Sequence, residues 1–179
     1  GRSMPRMVSE SCTSGSSKGT AAGRNGREPV AMRTTGARRV RSLPSLPLRY
    51  ASQDQAGRAF SHWCSTRGEF ARVLHPALPG SPGHEHWQSH CRAAAGLVTV
   101  EVDARFAPAQ VDAFVDALRL FRIGWSWGGP ISLAVPYRAA AIRDRPTPYR
   151  GVLVRFCLGL EAVDDLIADV EQALSVLRA

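Results

Sequence analysis

The chain has 179 residues, 44% of them hydrophobic and 21% charged, enough for one globular domain with a buried core. No run reaches the roughly 18 apolar residues of a membrane span, and the first 20 residues lack the apolar stretch of a secretory signal. The formal net charge is +8. It belongs to one segment: residues 1–50 carry ten basic and two acidic side chains, whereas residues 51–179 carry thirteen of each.

Residues 1–53 are rich in Arg, Gly, Ser, Thr and Pro and show neither helical nor strand periodicity. Such a segment buries too little apolar area to offset its ordering entropy, so it is expected to be disordered. A basic arm for nucleic acid is the functional alternative, but no aromatic residue is interleaved before Tyr50. The second unit is expected over 54–179.

In chain order, Ala56, Ala59, Phe60 and Trp63 fit one helical stripe that ends before Gly68. The prolines and glycines of residues 74–83 predict a loop, and a short helix follows around Glu85–Cys91. Val98, Val100 and Val102 alternate in a strand over Leu97–Val102. Pro108 opens a helix whose stripe is Val111, Phe114, Val115 and Leu118. Ile131–Val135 reads as a short strand. Val152–Leu158 reads as a longer one, with Val152, Val154, Phe156 and Leu158 on one face and Leu153, Arg155 and Cys157 on the other. Residues 162–177 form the last helix, with Asp164 and Asp165 in its first turn, where the dipole favours anions. The expected fold class is α+β, with helices covering one face of a small, largely antiparallel sheet.

Three groups of residues could carry chemistry. His84, His86 and His90 crowd beside Glu85 and Cys91, and His86 and His90 share a helix face. The order is not H-E-x-x-H, however, and no C-x-x-C is present, so no metal ligands are assigned. The four cysteines, Cys12, Cys64, Cys91 and Cys157, are too scattered for a disulfide framework and suit a reducing compartment. The run Gly124-Trp125-Ser126-Trp127-Gly128-Gly129 offers backbone N–H donors and permissive glycines. No helix follows its serine, as a nucleophile elbow requires. On spacing alone it is a tight turn with core tryptophans. Arg155 sits mid-strand among apolar neighbours and needs a carboxylate, from the protein or from a ligand. On chemistry alone an internal ion pair is the expectation.

The runs HPALPGSPGHEHW (75–87), AFVDALRLFRIGWSWGGPISLAVPY (113–137) and VRFCLGLEAVDDLIADVEQAL (154–174) together resemble the Cys/Met-metabolism family of pyridoxal-phosphate (PLP) enzymes. The S-W-G-G form is similar to its bacterial cystathionine β-lyase branch. The resemblance covers residues 60–179 and implies the smaller, C-terminal domain of a fold-type I PLP-dependent enzyme. It further implies Arg155 as the holder of the substrate α-carboxylate, with Ser126 and Trp127 in the turn beside it. PLP would be the parent cofactor and an amino acid such as cystathionine the substrate. The parent setting would be a cytoplasmic homotetramer. No catalytic or cofactor-binding residue is assigned.

Two departures stand out. Ile131 occupies a position where many relatives have Glu. The family's S-x-T-K motif is absent, and the sole lysine is Lys18. This chain alone is therefore expected to be inactive. Its first 50 residues are expected to be out-of-frame sequence that returns to frame between about 50 and 60, or else a true leader. A non-enzymatic assembly domain remains the alternative.

Overall fold

A computed structural model describes residues 43–178 apart from Arg143. The disorder expected of residues 1–42 lies outside the described residues. The chain runs through helix α1 (Leu46–Ser65), strand β1 (Phe70–Leu74), helix α2 (His84–His90) and strand β2 (Leu97–Val102). Helix α3 (Pro108–Asp116) and strands β3 (Arg122–Ile123) and β4 (Leu133–Tyr137) follow. The short helix α4 (Ala139–Ile142), strand β5 (Leu153–Cys157) and helix α5 (Val163–Arg178) complete it. The strand order is β1-β2-β5-β4-β3. All pairings are antiparallel except β3 with β4. The expected mixture of a mainly antiparallel sheet and covering helices is present.

The alternating valines explain the core. Val98, Val100 and Val102 of β2 point the same way as Val154 and Phe156 of β5, and all five are fully buried. Helix α3 adds Val111, Phe114 and Val115; helix α5 adds Leu166, Val170, Ala173, Leu174 and Leu177. Phe60 of α1 packs edge-on to Phe156 at 5.2 Å, and Phe121 does so at 5.1 Å, the geometry aromatic quadrupoles favour.

Helix α1 corrects the boundary expected at residue 54. It starts at Leu46, with Pro47 in its first turn, where a missing N–H costs nothing. Its buried stripe is Gln53, Ala56, Gly57, Phe60, Ser61 and Cys64. Ala59 faces solvent and Trp63 is half-buried, so the stripe is rotated from the expected one. Gly57 belongs to it because a Cβ there would stand 2.5 Å from the Ala95 carbonyl oxygen. Leu74 ends β1 rather than opening the loop. Strand β4 starts at Leu133, leaving Ile131 in the preceding turn, and continues through Pro136. A proline is tolerated there because β3 pairs only with Leu133 and Ala134, so Pro136 needs no donor on that side.

His75 follows β1 and is 1% exposed, and among the described residues neither ring nitrogen finds a hydrogen-bond partner. Burial, aided by the Arg58 guanidinium, holds its pKa below the ordinary 6.5. The unfolded chain therefore binds the proton more readily than the folded one, and stability is complete above pH 6.5 and falls as the pH drops below it. Thermal melts between pH 7 and 5 should show this loss, and His75→Leu should flatten it. The carboxyls of Asp54, Glu69 and Glu161 are also lowered, but from ordinary values of 3.8 and 4.5. Their contributions are lost only at more acid pH.

Candidate functional site

The site is built on the sheet face that α1, α3 and α5 leave uncovered. Arg155 stands in the middle of β5, paired in register with Thr99 on one side and Val135 on the other. Because Val154 and Phe156 point into the core, the pleat turns Arg155 to the opposite face. Its Nη2 donates to the Trp125 carbonyl at 2.9 Å. The guanidinium carbon lies 5.5 Å from the Tyr137 ring centre and 5.9 Å from that of Trp127, within reach of cation–π attraction. Trp125 in turn packs edge-on to Tyr137 at 5.0 Å.

The expected internal ion pair does not form. Among the described residues no carboxylate reaches Arg155, and its Nε is buried without a hydrogen-bond partner. A half-buried guanidinium with an unmet donor has the chemistry to take an anion. The tryptophans also depart from expectation. Trp125 and Trp127 are 64% and 65% exposed, because the turn stands out from the sheet edge and points their rings away from the core.

The structure brings Arg155 and Trp127 together. Ser126 shares their turn and is exposed, but makes no hydrogen bond with Arg155.

The turn itself is firmly held. Gln53 of α1, 4% exposed, donates its amide N–H to the Gly129 carbonyl at 2.8 Å. Gly128 adopts a φ of +72°, where a side chain would be strained. Beyond it, Glu161 accepts from the Ser132 N–H at 2.9 Å and from its hydroxyl at 2.7 Å. Burial pushes the Glu161 carboxyl up, but these hydrogen bonds outweigh it and hold the group below the ordinary carboxylate range. The Gly159 N–H donates to the Ser132 hydroxyl, and the Leu160 N–H to the Pro130 carbonyl. Gly159 must be glycine, since a Cβ would collide with the Pro130 oxygen. Thus Ile131 is exposed, and the turn's carboxylate comes from Glu161. Sequence reasoning missed both Gln53 and Glu161. The only signal for Gln53 was its place four residues before Gly57 and seven before Phe60.

Arg155 also lines a cleft of about 530 Å³ with Thr99, Tyr137, Arg145 and Tyr149, a size that accommodates a small ligand. Cys157, two residues along the same strand face, is 2% exposed, and burial pushes its thiol up, so it is no nucleophile here. Among the described cysteines, Cys64, Cys91 and Cys157 are free. The histidines lie apart on exposed α2. His84 Nδ1 donates to the Pro76 carbonyl, and His90 Nδ1 to that of His86. Among the described residues no three His, Cys, Asp or Glu side chains converge as metal ligands, and no helix is long and apolar enough to cross a membrane.

The chain is similar to known proteins over most of its length. The model of the Cys/Met metabolism PLP-dependent enzyme family matches residues 32–175, beginning ahead of the boundary expected at residue 54. A cystathionine β-lyase of Salmonella typhimurium is 37% identical over 134 residues, covering 73% of this chain and 34% of that protein. An L-alanine/L-glutamate racemase of Wolbachia pipientis is 32% identical over 139 residues, 76% of this chain and 34% of that one. Among solved structures, metB from Corynebacterium glutamicum superposes with a TM-score of 0.66 at 28% identity, over 75% of this chain and 35% of its own. The chain spans about a third of the length of each of these relatives.

Proposed function

This chain belongs to the Cys/Met metabolism PLP-dependent enzyme family, and on that premise we propose that the part of the chain from α1 to α5 is the substrate-binding C-terminal part of a cystathionine β-lyase-like carbon–sulfur lyase. The observation that carries the reading is Arg155. Among the described residues its guanidinium meets no carboxylate; it lies beside the Tyr137 and Trp127 rings and lines a cleft. A charge so placed suits the α-carboxylate of an amino acid. The Trp125 carbonyl and the two rings fix the guanidinium plane, so the bound carboxylate is oriented as well as held. Ser126 and Trp127 would form the wall beside that carboxylate.

PLP in such enzymes supplies the electron sink that weakens the bonds at Cα. The described residues contain no lysine, and Lys18 stands outside them. They do not fit covalent attachment of the cofactor. The parent reaction would consume cystathionine and water and release homocysteine, pyruvate and ammonia. The role of this chain would be to hold the amino acid.

A second reading has its own observation. Ile123, Trp125, Trp127, Ile131 and Leu160 are all exposed large apolar side chains around the turn and its neighbouring segment. Such residues suit contact with another chain, here the PLP-binding part of a full-length relative.

One assay separates the readings. With cystathionine and PLP, the 179-residue chain alone should release no pyruvate. Mixed with a full-length relative disabled only at its own substrate arginine, it should restore release if it assembles. Pyruvate formed by the chain alone contradicts the proposed inactivity. A mixture that stays inactive, with no co-elution of the two proteins, contradicts assembly.

A further inference from the structure

The turn over Trp125–Gly129 orients Arg155, so something other than Arg155 must fix the turn while that guanidinium takes a ligand. Among the described residues, two side chains donate to backbone carbonyls of this turn. Arg155 donates to that of Trp125 at 2.9 Å, and Gln53 of α1 donates to that of Gly129 at 2.8 Å. Gln53 is 4% exposed and does not line the Arg155 cleft. Its amide is thus the side-chain anchor of the turn that a ligand on Arg155 leaves untouched.

The anchor stands on a helix that is itself fixed. The neighbouring Asp54 accepts the Ala94 N–H and the Arg58 Nε–H. The Gln53 stem packs on Gly96, where a Cβ would stand 3.2 Å from the Gln53 Cβ. A side chain supported in this way presents its amide in one place and loses little freedom in doing so. The seated turn covers Cys157, which is 2% exposed. Burial pushes the Cys157 thiol up, and the Gly128 N–H, which faces its sulfur, acts the other way. Access to Cys157 therefore reports whether the turn is in place.

We propose that Gln53 is a positioning residue for the carboxylate site, acting through Gly129 to hold the turn where the Trp125 carbonyl and the Trp127 ring meet Arg155. This rests on the reading of Arg155 given above and adds to it the group that keeps the site assembled. Without the Gln53 amide the turn samples other positions, and a bound carboxylate must order it again at a cost in affinity.

The test uses the full chain with Gln53→Met, which keeps the length of the side chain and removes its donor. Gln53→His restores a ring N–H at a similar reach. Thiols are labelled with N-ethylmaleimide at about pH 8 and located by peptide mass mapping. Cys91 is exposed and times the reaction, while the core Cys64, 0% exposed, reports opening of the whole domain. Gln53→Met should speed labelling of Cys157 about tenfold relative to Cys64, the effect of one lost hydrogen bond on a local opening. It should also weaken L-alanine binding about tenfold, and Gln53→His should recover most of both effects. Labelling of Cys157 and Cys64 that rises in step would show that Gln53 merely stabilises the fold, and would overturn the positioning role. L-alanine affinity that answers Arg155→Gln but not Gln53→Met overturns that role alone. Affinity indifferent to Arg155→Gln overturns the reading of Arg155, and this inference with it.

Discussion

Replacing Asp169 by alanine should cost the fold about 3 kcal/mol, the largest stability loss expected of an acidic residue here. Asp169 lies on α5 and is 5% exposed. Its carboxylate accepts the N–H groups of Arg119 at 2.9 Å, Leu120 at 2.8 Å and Phe121 at 3.4 Å. It also accepts from the Gln172 amide at 3.2 Å. The three backbone donors belong to the chain between α3 and β3, outside helix and strand. With alanine the donors are left unmet beneath α5, and each unmet buried donor costs about 1–3 kcal/mol. Asp169→Asn keeps one oxygen acceptor and should cost about half as much. Asp165→Ala, on the exposed first turn of the same helix, should stay within about 1 kcal/mol. Thermal or urea melts of the three variants check the order. Asp169→Ala melting like Asp165→Ala contradicts the account of how the turn segment is attached.

Arg155→Ala should lower affinity for an α-amino acid carboxylate about 100-fold, equivalent to about 2.7 kcal/mol at 25 °C, and move the melting point little. Among the described residues the guanidinium makes one hydrogen bond, to the Trp125 carbonyl, and two ring contacts. Its removal therefore takes little from the fold, while the ligand loses its charge partner. Arg155→Lys should lose about tenfold. A lysine keeps the charge but cannot serve the Trp125 carbonyl and a carboxylate with one rigid fork. Calorimetry or fluorescence titration with L-alanine, alongside a melt of each variant, separates binding from folding. A lysine variant that binds as tightly as the natural chain shows that charge alone suffices and that the fork geometry is irrelevant.

Much of the fold was legible because its core residues follow simple periods. The β2 valines and the stripe of α5 gave those elements nearly to the residue. Strand β1 escaped notice because its register shifts between Phe70 and Arg72, which breaks the alternation a short strand needs. The first turns of α1 escaped because their buried residue is the polar Gln53, whose value lies in a bond to Gly129 across 76 positions of chain. The site shows the same division. Resemblance pointed to Arg155, Ser126 and Trp127 as candidates, and Arg155 also stood out as a charge between apolar strand neighbours. The chemistry around Arg155 could not be read. Composition favoured buried tryptophans and an internal ion pair, and the structure shows exposed Trp125 and Trp127 and a guanidinium that meets no carboxylate among the described residues. Which charges meet depends on the register of β2, β5 and β4, and a sequence does not print that register.

The measurement that bears most directly on the account is a nitrogen-15 NMR titration following the Arg155 Nε–H, assigned by its loss in Arg155→Lys. L-alanine should shift and protect this resonance. L-alanine methyl ester, which lacks the carboxylate, should leave it unchanged. An Nε–H that ignores L-alanine, or answers acid and ester alike, would show that Arg155 is not the carboxylate-binding group of this protein.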